Sequence, residues 1–382
     1  MSQKPLPPFL EKRIKEHYHD RFINEWGGVH LLKSPSLSSS DVLLSSNDYL
    51  CLCKDKSLYF DMGKDISNDV LMSSVFLGES SFQTRVENEF SIFFNVQDSI
   101  LCQSGWAANT GLIQSIADDT TPVYIDVLAH MSFHDGVRLA NAKSYVFAHN
   151  NVNNARKKIS QYGPGIIVVD SVYSTNGSLC PLSDFATLAQ ELDCILVVDE
   201  SHSAGTHGPE GRGIVNALKL NEQVDFITVS LAKAFAGRAG LITCSNKFKD
   251  YFLLESHPSI FSSALMNHDL KWFMNVIPVI VSSDIKRAKL HFNSRKIRSS
   301  LNQFGYNVSS GTEQIIAVEM GSEKNVQSLQ NNLQKKGVYG SVFCYPATTK
   351  NKALIRLTIN SDLTDYDISR IVDAFKTSIH DV

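Results

Sequence analysis

The chain has 382 residues, 43% of them hydrophobic and 20% charged, which excludes a disordered polypeptide and predicts a globular protein of two domains. Lysine and arginine number 36 against 39 acidic residues, a formal net charge of −3, so no overall basic field points to nucleic acid and an anionic ligand must be held by local groups. The seven cysteines, at 51, 53, 102, 180, 194, 244 and 344, form no CxxC and sit largely in apolar runs, which predicts free thiols in a reducing, cytoplasmic setting. Cys51 and Cys53 lack the clustered partners of a zinc site, and no metal ligand set is assigned. The N-terminus MSQKPLPPFLEKRIKEHYHD has no apolar signal region, and no apolar run is long enough to predict a membrane span.

In chain order, residues 9–20 predict an amphipathic helix, SPSLSSSD at 34–41 a polar linker, and DVLLSSNDYL a strand running into a turn. From about 82 to 245 helices and strands alternate. Helical spacing fits 82–94, 106–117, 130–141, 152–162 and 182–192. The short runs SILCQS, TPVYID, KSYVFAH, GIIVVDSVYS, CILVVDES, FITVSL and AGLITCS read as strands. Val- and Ile-rich runs separated by helices predict a mostly parallel sheet covered on both faces, an α/β architecture. After about 280 a basic helix over 284–303, the strand IIAVEM, a helix over 323–336, the strands VYGSVFCY and LIRLTIN, and a last amphipathic helix predict a smaller α+β unit. The expected division is an N-terminal helix and linker (1–55), a large domain (56–280) and a C-terminal small domain (281–382).

In such sheets ligands bind beyond the carboxyl ends of strands, so the polar residues there carry the argument. Four strands end suggestively: SILCQSGW, IIVVDSVYSTNG, ILVVDESHSAG and FITVSLAK. Ser104, Gly105 and Trp106 join a strand to a helix, whose N-terminus offers free N–H groups to a phosphate; a plain turn with Trp106 in the core is the alternative. His130 heads a helix and either stacks on an aromatic ligand or merely caps that helix. Asp199 ends a strand of four apolar residues and is either an N-cap or a partner for a buried cation. His202 is a second pocket group or a loop histidine. Lys233 stands in TVSLAKAFAGRAG, among small and apolar residues. A buried ammonium is costly there, so Lys233 either snorkels to the surface or carries a covalent group in place of the charge. Together the phosphate seat, the aromatic platform, the strand-end carboxylate and the lysine match the needs of pyridoxal 5′-phosphate, which takes a lysine Schiff base and an acidic partner on its ring nitrogen.

These residues resemble the α-oxoamine synthases, fold-type I pyridoxal-phosphate enzymes that condense an acyl-CoA with an amino acid. NDYL at 47–50, VDSVYSTNGSLCPL, VDESHSAGTHGPEGRG and TVSLAKAF carry the likeness, which runs to LIRLTIN at 354–360. The resemblance implies a large domain with a seven-stranded, mostly parallel sheet, a smaller C-terminal α+β domain, and a homodimer with its active sites at the interface. It implies that Ser104, Gly105 and Trp106 seat the phosphate with Ser230, that His130 stacks on the ring, and that Ser174 and His202 contact the ring hydroxyl. Asp199 pairs the ring nitrogen, Lys233 holds the aldehyde, and Ser262 or Ser263 reaches the phosphate of the second subunit. Asn47 and Arg356 hold the amino-acid carboxylate. Within the family the likeness is nearest to the branch making ketone autoinducers for quorum sensing, which implies a medium-chain fatty acyl-CoA and either S-adenosylmethionine or 2-aminobutyrate as substrates. Another synthase of the family, or a non-catalytic subunit of the same fold, is the alternative; a nicotinamide dehydrogenase is disfavoured because no GxGxxG follows a first strand. Val75, Phe76 and Leu77 stand where the family has a glycine-rich segment, and Arg238 where many relatives lack an arginine.

Overall fold

The inner strands of the α/β region are buried on both faces, while the edge strand Lys143–Phe147 is largely exposed. In the computed structural model, which describes residues 4–33, 37–59 and 72–379, Val169 and Val198 enter one hydrophobic core while their neighbours Val168 and Val197 enter another. Continuous apolar runs of about five residues, not alternating ones, are what such doubly covered strands require. One strand precedes the large sheet in sequence, β1 (Val42–Leu44), and the large sheet comprises β2 (Asp98–Cys102), β3 (Pro122–Asp126), β4 (Lys143–Phe147), β5 (Ile166–Asp170), β6 (Ile195–Asp199), β7 (Phe226–Ser230) and β8 (Gly240–Cys244). The spatial order is β2-β8-β7-β6-β5-β3-β4. All neighbours pair parallel except β8, which runs antiparallel to both β7 and β2.

That exception positions the site. Two antiparallel steps return β2 to the direction of β7, so the carboxyl ends of β2, β3, β5, β6 and β7 share one edge. The register makes this concrete: Asp170 lies beside Asp199, Asp199 beside Thr228, Ser230 beside Gly240 and Gly240 beside Cys102.

The smaller sheet has the order β1-β10-β11-β9, with β9 (Ile315–Gly321), β10 (Val338–Phe343) and β11 (Ala353–Thr358). β1 comes from the N-terminal segment and pairs parallel with β10. The segment before it docks on the same unit: the Trp26 indole donates to Glu323 at 2.7 Å, and Gln327 and Gln330 donate to the carbonyls of Trp26 and Leu31.

The expected helices over 82–94, 152–162 and 284–303 form over those residues. The N-terminal helix Pro8–Glu16 passes into a wider π-type turn over His17–Glu25. Sequence reading assigned nothing between 246 and 280, where the helices Asn246–Glu255, His257–Phe261 and Asn267–Val281 form. The last of these buries Leu270, Trp272, Phe273, Val276, Ile277 and Ile280, keeps His268, Lys271 and Asn275 on the less buried side, and contains Pro278, which interrupts the pattern. The glycine-rich position of the family falls on a short 3₁₀ turn, Ser74–Phe76, with Phe76 exposed. Residues 60–71 next to it lie outside the described residues, as do 34–36 of the polar linker.

Candidate active site

Lys233 follows β7 in a tight turn that is closed by backbone bonds from Ala236 to Lys233 and from Gly237 to Leu231. Its side chain is part-buried, and its Nζ donates to Ser230 Oγ at 3.4 Å. Burial lowers its pKa, and the Arg356 guanidinium adds to this, while Asp199 pulls the other way. The lysine is thus neither a snorkelling surface residue nor half of a closed ion pair. Its amine is shifted toward the neutral, nucleophilic form.

Asp199, 5% exposed at the end of β6, accepts from the Ser201 amide at 2.8 Å and from Asn109 Nδ2 at 2.9 Å. Asn109 also donates to Ser132 Oγ, which lies 2.7 Å from His130 Nδ1. A buried polar chain therefore runs from Asp199 through Asn109 and Ser132 to His130. His130 caps the helix Met131–Leu139, and its backbone N–H reaches Asp170. Burial lowers the His130 pKa, with Asp199 opposing. Burial, reinforced by the neighbouring Asp199, pushes the Asp170 carboxyl well up. Asn109 was not among the residues expected from sequence; an asparagine one turn inside an apolar helix was the available signal.

Ser104 caps the helix Gly105–Ile116. Here the glycine is required by space: a Cβ on Gly105 would lie 2.5 Å from the Cβ of Ser230. The amide of Ser230 in turn donates to Ser201 Oγ at 2.7 Å. Ser104, Gly105, Ser230 and Lys233 are thereby packed into one corner, with free helix N–H groups at its floor. Trp106 is not in the core. It is 45% exposed and meets the His130 ring edge-on, with centroids 5.6 Å apart.

His202 is buried, with Nδ1 2.6 Å from the hydroxyl of Tyr49, and its carbonyl accepts from Gln314 at 2.6 Å. Burial depresses its pKa well below the ordinary value, and Lys233 and Arg356 add to the effect. The fully buried Tyr49 phenol is pushed up to about 12 by burial, against Arg356. Asn47 Oδ1 accepts from Arg356 Nη2 at 3.2 Å. Arg356, 5% exposed in the middle of β11, lies over the Phe343 ring, and its Nε has no partner. No carboxylate pairs with it among the described residues. A buried guanidinium with an unused donor has the chemistry to pair with an anion.

Ser174 is half-buried in the turn after β5. Ser262 and Ser263 are exposed on this chain, and the Ser263 carbonyl accepts from Gln103 beside the Ser104 corner. Arg238 is exposed as well.

The buried, doubly held Asp199 carboxylate, the glycine-floored corner and the lysine with its lowered pKa fit pyridoxal phosphate. A lysine with a lowered pKa, an acid on the same edge and a glycine-floored helix N-terminus, all beyond the carboxyl ends of a mostly parallel sheet, are the arrangement of a fold-type I pyridoxal-phosphate enzyme. The chain belongs to the aminotransferase class I and II family, whose sequence model matches residues 42–375, and its relatives make it an acyltransferase of the α-oxoamine synthase type. It is 43% identical to the CAI-1 autoinducer synthase of Vibrio campbellii over 97% of this chain and 95% of that protein. It is 28% identical to the 8-amino-7-oxononanoate synthase of Petrotoga mobilis over 78% of this chain and 77% of that protein. In fold it matches the serine palmitoyltransferase of Sphingomonas wittichii with a TM-score of 0.87, 98% of both chains being covered at 21% identity. Among the described residues no helix is long and apolar enough to cross a membrane, and all seven cysteines are free.

Proposed function

We propose that this chain condenses a medium-chain fatty acyl-CoA with S-adenosylmethionine or 2-aminobutyrate, releasing CoA and carbon dioxide and giving an aminoketone precursor of a quorum-sensing autoinducer. The observation that carries this choice within the family is the 43% identity, sustained over nearly the whole of both chains, to an autoinducer synthase. Val75, Phe76 and Leu77 support it, since an apolar turn suits an alkyl chain better than a polar substrate.

Pyridoxal phosphate, when bound, supplies an electron sink for negative charge at the donor's Cα. Ser104, Gly105, Trp106 and Ser230 would hold its phosphate, Asp199 its ring nitrogen, Ser174 and His202 its ring hydroxyl, and Lys233 its aldehyde. His130 would lie against the ring. Arg356 and Asn47 clamp the donor carboxylate and so fix which Cα bond faces Lys233. The lysine amine, kept from full protonation by burial, takes the Cα proton. The carbon then attacks the thioester and CoA leaves, after which the clamped carboxylate departs as carbon dioxide. Ser262 or Ser263, both exposed on one chain, would reach the phosphate of a second copy, with a homodimer as the working form. The free thiols support a cytoplasmic setting.

Purified enzyme, given acyl-CoAs of graded length and a panel of amino donors, tests the reading by mass spectrometry of the product. A medium-chain aminoketone from S-adenosylmethionine or 2-aminobutyrate is the expected product. A preference for glycine or alanine with a short acyl-CoA overturns it in favour of a glycine-using or biotin-type synthase.

A further inference from the structure

Behind the loop that presents His202, three side chains from three separate segments turn toward one another. His207 lies at the end of that loop, His291 in the helix Asp284–Gln303, and Glu313 just before β9. Their ligand atoms all lie within 4.8 Å of one another. His207 Nε2 is 2.8 Å and His291 Nδ1 3.9 Å from the same Glu313 oxygen, Oε2.

Thr206 Oγ1 has one proton to give, and the carbonyls of His202 and Ser203 lie at 3.1 and 3.0 Å from it. With that proton on a carbonyl, Oγ1 can accept from His207 Nδ1–H at 2.9 Å, the tautomer that leaves Nε2 as a lone pair; in the other tautomer Nε2–H donates to Glu313 Oε2. The carbonyl of the same Thr206 accepts from His291 Nε2 at 2.8 Å, which leaves Nδ1 of that ring as a lone pair. One threonine thus contacts the outer nitrogen of both imidazoles, and the inner nitrogens face a carboxylate oxygen. Glu313 is equally fixed. Thr312 donates to its Oε1, and Ser294 and Arg298 hold its backbone carbonyl. In the first tautomer three acceptors turn inward, each with an outer partner, and can take a cation between them in place of the His207–Glu313 proton; outer partners of this kind mark metal-binding histidines.

We infer that His207, His291 and Glu313 form a binding site for a divalent transition metal of the zinc class, clamping the loop after His202 to the C-terminal unit. Two imidazoles and a carboxylate suit zinc, and their side-chain exposures of 12%, 24% and 14% leave a path for a water as fourth ligand. A tetrahedral zinc with bonds of about 2.0–2.2 Å holds its ligands roughly 3.4 Å apart, so side-chain shifts on the order of an ångström close the site. The clamp lies next to the active site without entering it, because Gln314, the residue after Glu313, already holds the His202 carbonyl.

The test uses the holoenzyme, stripped with a chelator and titrated with Zn²⁺ alone. The expected result is one Zn²⁺ per chain, a raised thermal midpoint, and tetrahedral d–d bands when Co²⁺ replaces it. Binding should weaken at least ~100-fold in Glu313→Gln and His291→Gln and survive in Cys53→Ser, a control for thiol binding. Absence of stoichiometric binding, or equal binding by Glu313→Gln, overturns the site and leaves a plain His207–Glu313 hydrogen bond. Anomalous scattering at the zinc edge from wild-type crystals decides the matter without any variant: a peak among the three side chains supports the site, and a peak elsewhere or none refutes it.

Discussion

At the carboxyl edge of the seven-stranded sheet, each polar side chain stands where a strand stops and is held by neighbours from the adjoining strand or helix. Asp199 has two donors, and Ser230 is latched to Ser201. In the four-stranded sheet the comparable residue, Arg356, stands in mid-strand, buried, with a donor unused. The first region is held mainly by its own hydrogen bonds, although Asn109 Oδ1 and Thr228 Oγ1 have no partner. In the second the unpaired group is a buried guanidinium nitrogen, which carries charge. On the proposed function the contrast is a division of labour: the large sheet would fix the chemistry, and the small sheet, joined to the N-terminal segment through Asn47, would hold the substrate carboxylate.

Removing the lysine is the most severe way to break this division. Lys233→Ala should lower turnover by ~10³ or more, since it deletes both the covalent anchor and the base. Borohydride treatment followed by mass spectrometry should then find no cofactor mass on the protein; full turnover in this variant would end the large-sheet assignment. The counterpart in the small sheet is Arg356→Lys, which keeps the charge and loses the fork. Steady-state kinetics should show the donor's KM raised about 10–100-fold, with a smaller change in kcat. An unchanged KM would move carboxylate recognition elsewhere.

Glu200, the residue after Asp199, sharpens the comparison through stability. It is fully buried, and burial pushes its carboxyl up from 4.5 to about 7 against the amides of Ile214 and Val215. Between those values the folded protein keeps a proton that the unfolded chain has released. Its contribution is therefore complete below pH 4.5 and is lost as pH rises through 7. Glu200→Gln keeps an acceptor for both amides and does not titrate. Relative to wild type it should gain about 2 kcal/mol between pH 5 and pH 8 in urea unfolding; a gap independent of pH would contradict the protonated glutamate. The smallest effect belongs to the seam of the small sheet. Thr358 Oγ1 donates to the Leu44 carbonyl of β1 at 2.8 Å, wholly buried. Thr358→Val should cost about 1 kcal/mol, seen as a lower urea midpoint at unchanged slope.

The sequence by itself determined the large sheet, because doubly buried strands are written as contiguous apolar runs, and it determined Asp199, Lys233 and the Ser104–Gly105 joint, because each follows such a run directly. Only the tertiary structure decided that β1 belongs to the C-terminal sheet, that Asn109 links Asp199 to the His130 side chain, that Tyr49 sits on His202, and that His207, His291 and Glu313 converge. Those contacts join residues far apart in the chain, and hydrogen bonds between side chains leave no periodic trace in the segments that supply them. The helix Asn267–Val281 stayed hidden for another reason: Pro278 lies inside it, and a proline in an apolar run reads as a helix end although the face of Leu270, Phe273, Ile277 and Ile280 continues past it.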